Sequence, residues 1–423
     1  MQHASFAHTR SLPDGEHNFS VRPYFPPERV IAHCLFSLGC GGAERNLVRQ
    51  LRALYSAGYQ NLHVVISEFT DSADLYYQQD IAGFAAVHYA DDTSGQLPHH
   101  APMLIRLLPH RFRRNILAYY NILKHVTPDV VHVWSDNPYA LCAAILLPIR
   151  RVIINWRNMP PNVFHTMGTR SWRLWPKTWL DNTLFKVALR NPAVRLVCVC
   201  RAGASAYEKV LGLPDESVAT VYNGVDPALW QRATDEEVAN LKHRLGIPSE
   251  GKVVVGLMRF DVTKRPQLFF DTAALVCKQT DEPITFVLFG DGPLRGSMLE
   301  QAKALGIICP GVIREVSVGL SMADLLLHTS SAEGLPNALV EAGLMGVPIV
   351  STTAGGTPET VIDGITARLI PEQPNMAQAM ANILLQTLQD TTFMERAREE
   401  APHFVQERFS PERTLQQTLA LYS

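Results

Sequence analysis

What this chain lacks narrows its function first. No apolar run approaches the roughly 20 residues that a bilayer-crossing helix needs, and the longest, Ala140–Ile149, is interrupted by Pro148. The seven cysteines are an odd number with no C-x2-C pair, which speaks against a zinc ribbon or a stapled disulfide framework. Reduced thiols in a cytoplasmic setting fit better. Lys and Arg number 38 against 40 Asp and Glu, a formal charge of -2, so the basic excess of a nucleic-acid binder is missing. There is no D-x-D, and no bound metal is expected. Gly39 and Gly41 begin a G-x-G, but Glu44 stands where a dinucleotide fingerprint requires its third glycine. Neither glycine-rich turn carries the lysine of a phosphate-binding P-loop. Residues 1–28 are polar and rich in His and Pro without the apolar centre of a secretory signal, and they read as a flexible tail.

What is present is the composition of a packed enzyme-sized protein: 423 residues, 47% hydrophobic and 18% charged. A chain of that length exceeds one ordinary core, so two domains are expected. Short β-rich apolar runs (VIAHCLFSL, LHVVISE, VVHVW, RVIIN, VRLVCVC, SVATVYN, KVVVGL, ITFVLF) alternate with helical patterns. That alternation predicts α/β domains built on parallel sheets. The expected division is residues 29–226 for the first domain, 227–405 for the second, and 406–423 for a closing helix that crosses back to the first. Ligands of such sheets bind beyond the carboxyl ends of the strands, which singles out Asp136, Asn137, Arg157 and Asn158. His132 falls inside a strand and reads as a structural histidine. Asn223-Gly224 reads as a turn at the domain boundary.

The most informative stretch is Ser330–Gly364, where an apolar strand (LLLHTS) leads through Glu333-Gly334-Leu335-Pro336-Asn337 into the helix pattern NALVEAGLM and a second strand, PIVSTT. A glycine there allows close backbone approach, and the amides at a helix start attract phosphate. Seven residues separate Glu333 from Glu341, roughly 11 Å along a helix. That span suits the two ends of an extended ligand, although Glu333 merely complementing the helix dipole and a solvated Glu341 would satisfy the same spacing.

Glu333, Glu341, Gly355, Gly356, Pro358 and Glu359 together closely resemble the signature of the family 4 glycosyltransferases, retaining enzymes of GT-B fold: two Rossmann-like domains facing a central cleft. The resemblance is strongest from Val253 to Gly364 and covers most of the chain. It implies that Glu333 and the amides of Gly334, Leu335, Pro336 and Asn337, where each residue has one, hold the donor sugar, and that Glu341 binds the ribose. Arg259 and Lys264, in a G-R-x5-K-like loop after KVVVGL, would neutralise the donor diphosphate. Gly41 and Gly42 of GGAER resemble the family's first-domain glycine loop, which approaches donor phosphate and acceptor. Residues Glu315–Ser317 would contact the base. The donor would be a UDP- or GDP-linked sugar, with no further cofactor, and the acceptor a glycan or lipid-linked sugar in polysaccharide or glycolipid synthesis. The sequence departs from much of the family in carrying Trp134 and Arg157 at strand ends where histidine is common. Basic and aromatic residues in LIRLLPHRFRRNILAYYNILKHV (Arg111, Arg113, Arg114) and at Trp172, Trp175 and Trp179 suggest peripheral contact with the inner face of a membrane. A nucleotide-sugar epimerase, a sugar phosphorylase, or a subunit without turnover are the alternative readings of the same motifs.

Overall fold

Apolar runs four to six residues long, rich in Val, Ile and Leu and bounded by polar turns, suit strands covered on both faces. In the computed structural model, which describes residues 25–39, 41–69, 72–135, 137–160 and 183–423, they form two sheets. The first contains β1 (Ile31–Leu35), β2 (Leu62–Ile66), β3 (Ala86–Tyr89), β4 (Val130–Trp134), β5 (Arg151–Trp156), β6 (Val194–Cys198) and β7 (Ala219–Thr220). Its order is β3-β2-β1-β4-β5-β6-β7, and every neighbouring pair is parallel. The second contains β8 (Lys252–Leu257), β9 (Ile284–Phe289), β10 (Ile308–Gly311), β11 (Leu325–His328), β12 (Ile349–Thr352) and β13 (Ala367–Ile370), in the order β10-β9-β8-β11-β12-β13. It too is parallel throughout.

Each sheet reverses its winding direction once, between β1 and β4 in the first and between β8 and β11 in the second. A crevice opens beyond the strand ends at such a reversal, because the flanking helices leave toward opposite faces. The loops that follow β1, β4, β8 and β11 therefore set the site.

The chain closes on itself through its C-terminus. The helix Thr391–Arg408 packs on the second-domain helix Asn337–Leu344, and the following helix Pro411–Tyr422 packs on the first-domain helix Gly42–Ser56. Ser410 caps this last helix by accepting from the amide of Arg413. Its final aromatic, Tyr422, is fully buried; its hydroxyl lies 2.8 Å from Nδ1 of His132 and accepts from Gln50 at 3.1 Å.

Two expectations change here. Phe25, within the stretch read as a flexible tail, belongs to the core: it packs 5.9 Å from Tyr59 and 5.6 Å from Tyr422, ring centre to ring centre, and its carbonyl accepts from the Tyr59 hydroxyl. An aromatic of that size repays ordering the backbone around it. Asn223-Gly224 is also more than a turn. The Asn223 amide donates to Asn337 Oδ1 at 3.0 Å and its oxygen accepts from Arg157 at 2.5 Å, so this side chain joins the two domains.

Candidate active site

The loop after β8 is shaped by Asp261, whose carboxylate accepts from the amides of Thr263 and Lys264 and from the Thr263 hydroxyl. This Asx turn ends at Arg265, which takes a left-handed conformation (φ 51°) and lays its guanidinium on the carbonyls of Thr329 and Ser330 and on Glu372. The loop after β8 is thus tied to the loop after β11. Ser331 strengthens the tie by donating its amide to the Thr263 carbonyl at 2.8 Å.

That tie brings Lys264 onto Glu333. The ammonium lies 2.6 and 2.7 Å from the two carboxylate oxygens. His328 Nε2 at 3.0 Å and the Ser330 hydroxyl at 2.5 Å complete the set around Glu333. Burial alone would push the Glu333 carboxyl up, but Lys264 and His328 outweigh it and hold the group well below the usual carboxylate range. Glu333 is therefore a permanent anion and a hydrogen-bond acceptor at neutral pH. The family resemblance assigns Lys264 to the diphosphate; here its charge is already engaged by Glu333. Arg259 is the open cation of the pair, 69% exposed, with Asp261 3.9 Å away.

His328 and Ser330 escaped the sequence reading. Their signal was positional: both stand at the carboxyl end of a strand beside the winding reversal.

Two glycines of the signature serve close approach between backbones. A Cβ on Gly334 would fall 2.1 Å from the carbonyl oxygen of Arg157 in the other domain. One on Gly356 would fall 2.0 Å from the Gly334 carbonyl oxygen and 2.8 Å from Cβ of Cys200. Gly355, at φ 50°, carries the turn that seats this loop on Glu333, whose carbonyl accepts from the Gly356 amide at 3.1 Å. Glu359 then crosses to the first domain. It accepts from the amides of Arg201 and Ala202 at 2.8 and 2.9 Å, at the start of the helix Arg201–Leu211, and from the Tyr222 hydroxyl at 2.9 Å. A carboxylate there meets both the open amides and the positive end of the helix dipole.

The helix Asn337–Leu344 begins after Pro336 with no side-chain cap. Leu335 is buried and packs in the apolar cluster shared with the first domain. Glu341, expected to be solvated or to hold ribose, is 2% exposed and meets Arg45 at 3.2 Å and Arg49 at 3.3 Å. Those arginines come from the first-domain helix Gly42–Ser56, one turn apart on one face. Residues Glu315–Ser317, expected as a base-contacting loop, lead into the short helix Val316–Ser321, with Glu315 at its cap position.

On the first-domain side, Gly41 and Gly42 start the helix Gly42–Ser56, and a Cβ on Gly42 would stand 3.2 Å from the side-chain Nδ2 of Asn337. Glu44, in its first turn, has its carboxyl pushed up by burial against the opposing fields of Arg157 and Arg259. Arg157 stacks 4.8 Å over the Trp134 ring. Asn158 is exposed. Asn137, singled out from sequence as a ligand contact beyond a strand end, is a correction. It is fully buried, caps the helix Pro138–Ile145 by accepting from Ala140 and donates to Tyr119. Asp136 and the Trp172–Trp179 segment lie outside the described residues. His132 is buried, held between Tyr422 and Asn155, and stacked 5.3 Å from His33. Burial pushes its pKa well down.

Arg111 and Arg114 are exposed on the helix His110–Val126, whose other face enters the core through Ile116, Tyr119 and Leu123. Among the described residues no helix is long and apolar enough to cross a membrane.

Two family models match this chain: "Glycosyltransferase Family 4" over residues 40–229 and "Glycosyl transferases group 1" over residues 251–390. Among curated proteins, it is 27% identical over 383 residues to the Vi polysaccharide biosynthesis protein VipC/TviE of Salmonella typhi, covering 81% of this chain and 62% of that one. It is 29% identical over 298 residues to the N-acetyl-alpha-D-glucosaminyl L-malate synthase of Bacillus anthracis, covering 70% of this chain and 74% of that one. Among solved structures, HepE of Anabaena, crystallised with UDP and glucose, superposes with a TM-score of 0.71 at 20% identity over 92% of this chain and 98% of that one. WaaG, a glycosyltransferase involved in lipopolysaccharide biosynthesis, superposes with a TM-score of 0.68 at 16% identity, over 92% and 98% of the two chains.

Proposed function

We propose, from the premise that this chain belongs to the family 4 glycosyltransferases of GT-B fold, that it moves a sugar from a nucleotide diphosphate donor to a glycan or lipid-linked acceptor in polysaccharide or glycoconjugate synthesis. The observation that carries this reading is the Lys264–Glu333–His328 cluster at the winding reversal of the second sheet, in a loop whose Gly334 and Asn337 approach Arg157 and Gly42 of the first domain. The donor is a UDP-sugar, a choice supported by the UDP complex of the structurally similar HepE.

In this reading Glu333, held ionised, accepts hydrogen bonds from donor-sugar hydroxyls, and the uncapped amides at Asn337 face the diphosphate. As the glycosidic bond breaks, its electron pair passes to the leaving phosphate oxygen, the acceptor hydroxyl oxygen bonds to the anomeric carbon, and the proton of that hydroxyl goes to the departing phosphate. Arg259 and Lys264 meet the charge that grows there, so their interaction is stronger in the transition state than in the ground state. Glu341 accepts hydrogen bonds from the ribose hydroxyls alongside its arginine partners. The anomeric configuration is retained, an assignment that rests on family membership. Cations fixed in the protein do the work of a metal, so the rate should be unchanged in EDTA.

A panel of nucleotide sugars incubated with the purified full chain and an acceptor glycan tests this, with products read by mass spectrometry and the new linkage by NMR. Transfer with retained configuration is expected. Conversion of the donor without acceptor would make the protein an epimerase, a requirement for free phosphate would make it a phosphorylase, and no turnover of any donor would overturn the reading. Activity lost in EDTA and restored by magnesium would overturn the metal-free account.

A further inference from the structure

A cavity of about 400 Å³ lies between the helix Gly42–Ser56, the strand ends of the first sheet and the C-terminal helix Pro411–Tyr422. It runs along the first helix from Asn46 to Ala57, roughly 16 Å at the helical rise. One end adjoins the donor motif, because two residues that line it, Asn223 and Arg49, bond to Asn337 and Glu341 of the second domain. A volume of this order is typical of small-molecule pockets.

The polar groups at that end are incompletely used. Among the described residues Arg157 makes one hydrogen bond, to the neutral Asn223 oxygen, and stacks on Trp134. Among the described residues no carboxylate lies within ion-pair distance of it. Burial pulls its pKa down to about 10, so the guanidinium remains charged at neutral pH. Among the described residues its five N–H donors and full charge meet one neutral acceptor, while the Glu44 carboxyl acts on it from beyond ion-pair distance. Beside it, Asn155 is 4% exposed, spends its amide nitrogen on His132 and, among the described residues, has no partner for its oxygen. The neighbouring Arg49 is already committed to Glu341. Among the described residues, this end of the cavity therefore presents a guanidinium with no carboxylate in ion-pair distance and an amide oxygen with no donor.

We propose that this cavity receives the acceptor, and that the acceptor is a hydroxylated anion whose carboxylate or phosphate is bound by Arg157 while a neighbouring hydroxyl meets Asn155. This rests on the glycosyltransferase reading and specifies the substrate class within it. A planar guanidinium suits either anion through paired N–H groups. The donor diphosphate has its own cations, Arg259 and Lys264, on the second domain, which leaves Arg157 for the other substrate.

The test uses the full chain saturated with UDP, so that the donor site is filled, and measures calorimetric binding of two matched pairs: glucuronate against glucose, and myo-inositol 1-phosphate against myo-inositol. At least one anion should bind tenfold or more tightly than its neutral partner, and whether glucuronate or the phosphate shows the larger gap identifies the anion. In Arg157→Gln the gap should vanish with UDP affinity unchanged, and Arg157→Lys should keep part of it. Equal or absent binding within both pairs would overturn the proposal, as would a gap that survives in Arg157→Gln. Loss of UDP affinity together with the gap would assign Arg157 to the donor and overturn it as well. Failure of the unaltered protein to bind UDP would instead remove the glycosyltransferase reading on which the proposal stands. Should Arg157→Gln not fold by thermal melting, the comparison in the unaltered protein and in Arg157→Lys decides.

Discussion

The ammonium of Lys264 is bonded to both carboxylate oxygens of Glu333, at 2.6 and 2.7 Å, from a loop 69 residues away in sequence. Glu333 is 6% exposed and the Lys264 side chain 25%, so the pair is largely shielded from solvent. Removing one partner from such a pair leaves an uncompensated charge. The pair therefore sustains both the shape of the empty site and its charge balance when a donor enters.

Lys264→Ala should lower stability by about 3 kcal/mol, in the range found when a buried pair loses one partner. Adding Glu333→Gln should recover much of that loss while leaving activity abolished. Thermal and denaturant melting of the single and double variants checks the coupling; additive effects would show that the pair is not a unit.

In steady-state kinetics at saturating donor, Arg259→Ala should reduce kcat by at least about tenfold, since one hydrogen bond to a growing charge contributes about 1.5 to 3 kcal/mol. A raised KM with unchanged kcat would show uniform donor binding instead. Arg259 is the cleaner probe, because its exposed side chain gives little reason for the fold to suffer.

Closure of the cleft should depend on Gly334 and Gly356. An added methyl at either must displace backbone of an adjoining segment, and overpacking of this kind typically costs about 1–3 kcal/mol. Gly356→Ala should therefore hold the domains apart, raise the radius of gyration in small-angle scattering and cut kcat/KM at least about tenfold. Glu359→Gln, which weakens the contact with the Arg201 and Ala202 amides, should shift scattering in the same direction by less. Unchanged scattering in both variants would refute the closure role.

Stability should fall as the pH drops from 7 toward 5. Burial pulls His33 down to about 3 and His132 well below its ordinary value, while an unfolded histidine titrates near 6.5. Below that value the unfolded chain binds more protons than the folded one, so each histidine removes up to about 1.4 kcal/mol per pH unit until its folded pKa is reached. Glu333 acts in a lower window: its depressed pKa contributes stability that is complete above the unfolded carboxylate value, near 4.3, and is lost as the pH falls from there toward its folded value. Melting temperatures at half-unit pH steps check both; a flat profile between 6.5 and 5 would contradict the neutral burial of the two rings.

The strands of both sheets were legible where burial on two faces forces an uninterrupted apolar run, as in Val253–Val255 or Val152–Ile154. The edge strand Ala86–Tyr89 was not, because it is short and half-exposed and carries no such run. The order Glu333, Glu341, Gly355, Gly356, Pro358, Glu359 marked the second domain's site, because local spacing around one strand-helix-strand unit survives folding unchanged. Partners contributed by other loops left no local trace. Asn137 looked like a site residue from its strand end, and only its packing revealed a helix cap.

The sequence by itself determined two parallel α/β units and the chemistry concentrated after β8 and β11, since periodicity and turn residues act over a few positions. Tertiary structure alone decided what those groups touch. It set Lys264 on Glu333, Arg45 and Arg49 on Glu341, and Glu359 on the helix start at Arg201. It also placed Arg157 beside a cavity with no carboxylate in ion-pair distance among the described residues. These contacts join residues tens to hundreds of positions apart, and their strength depends on burial and distance, quantities that exist only once the two domains meet.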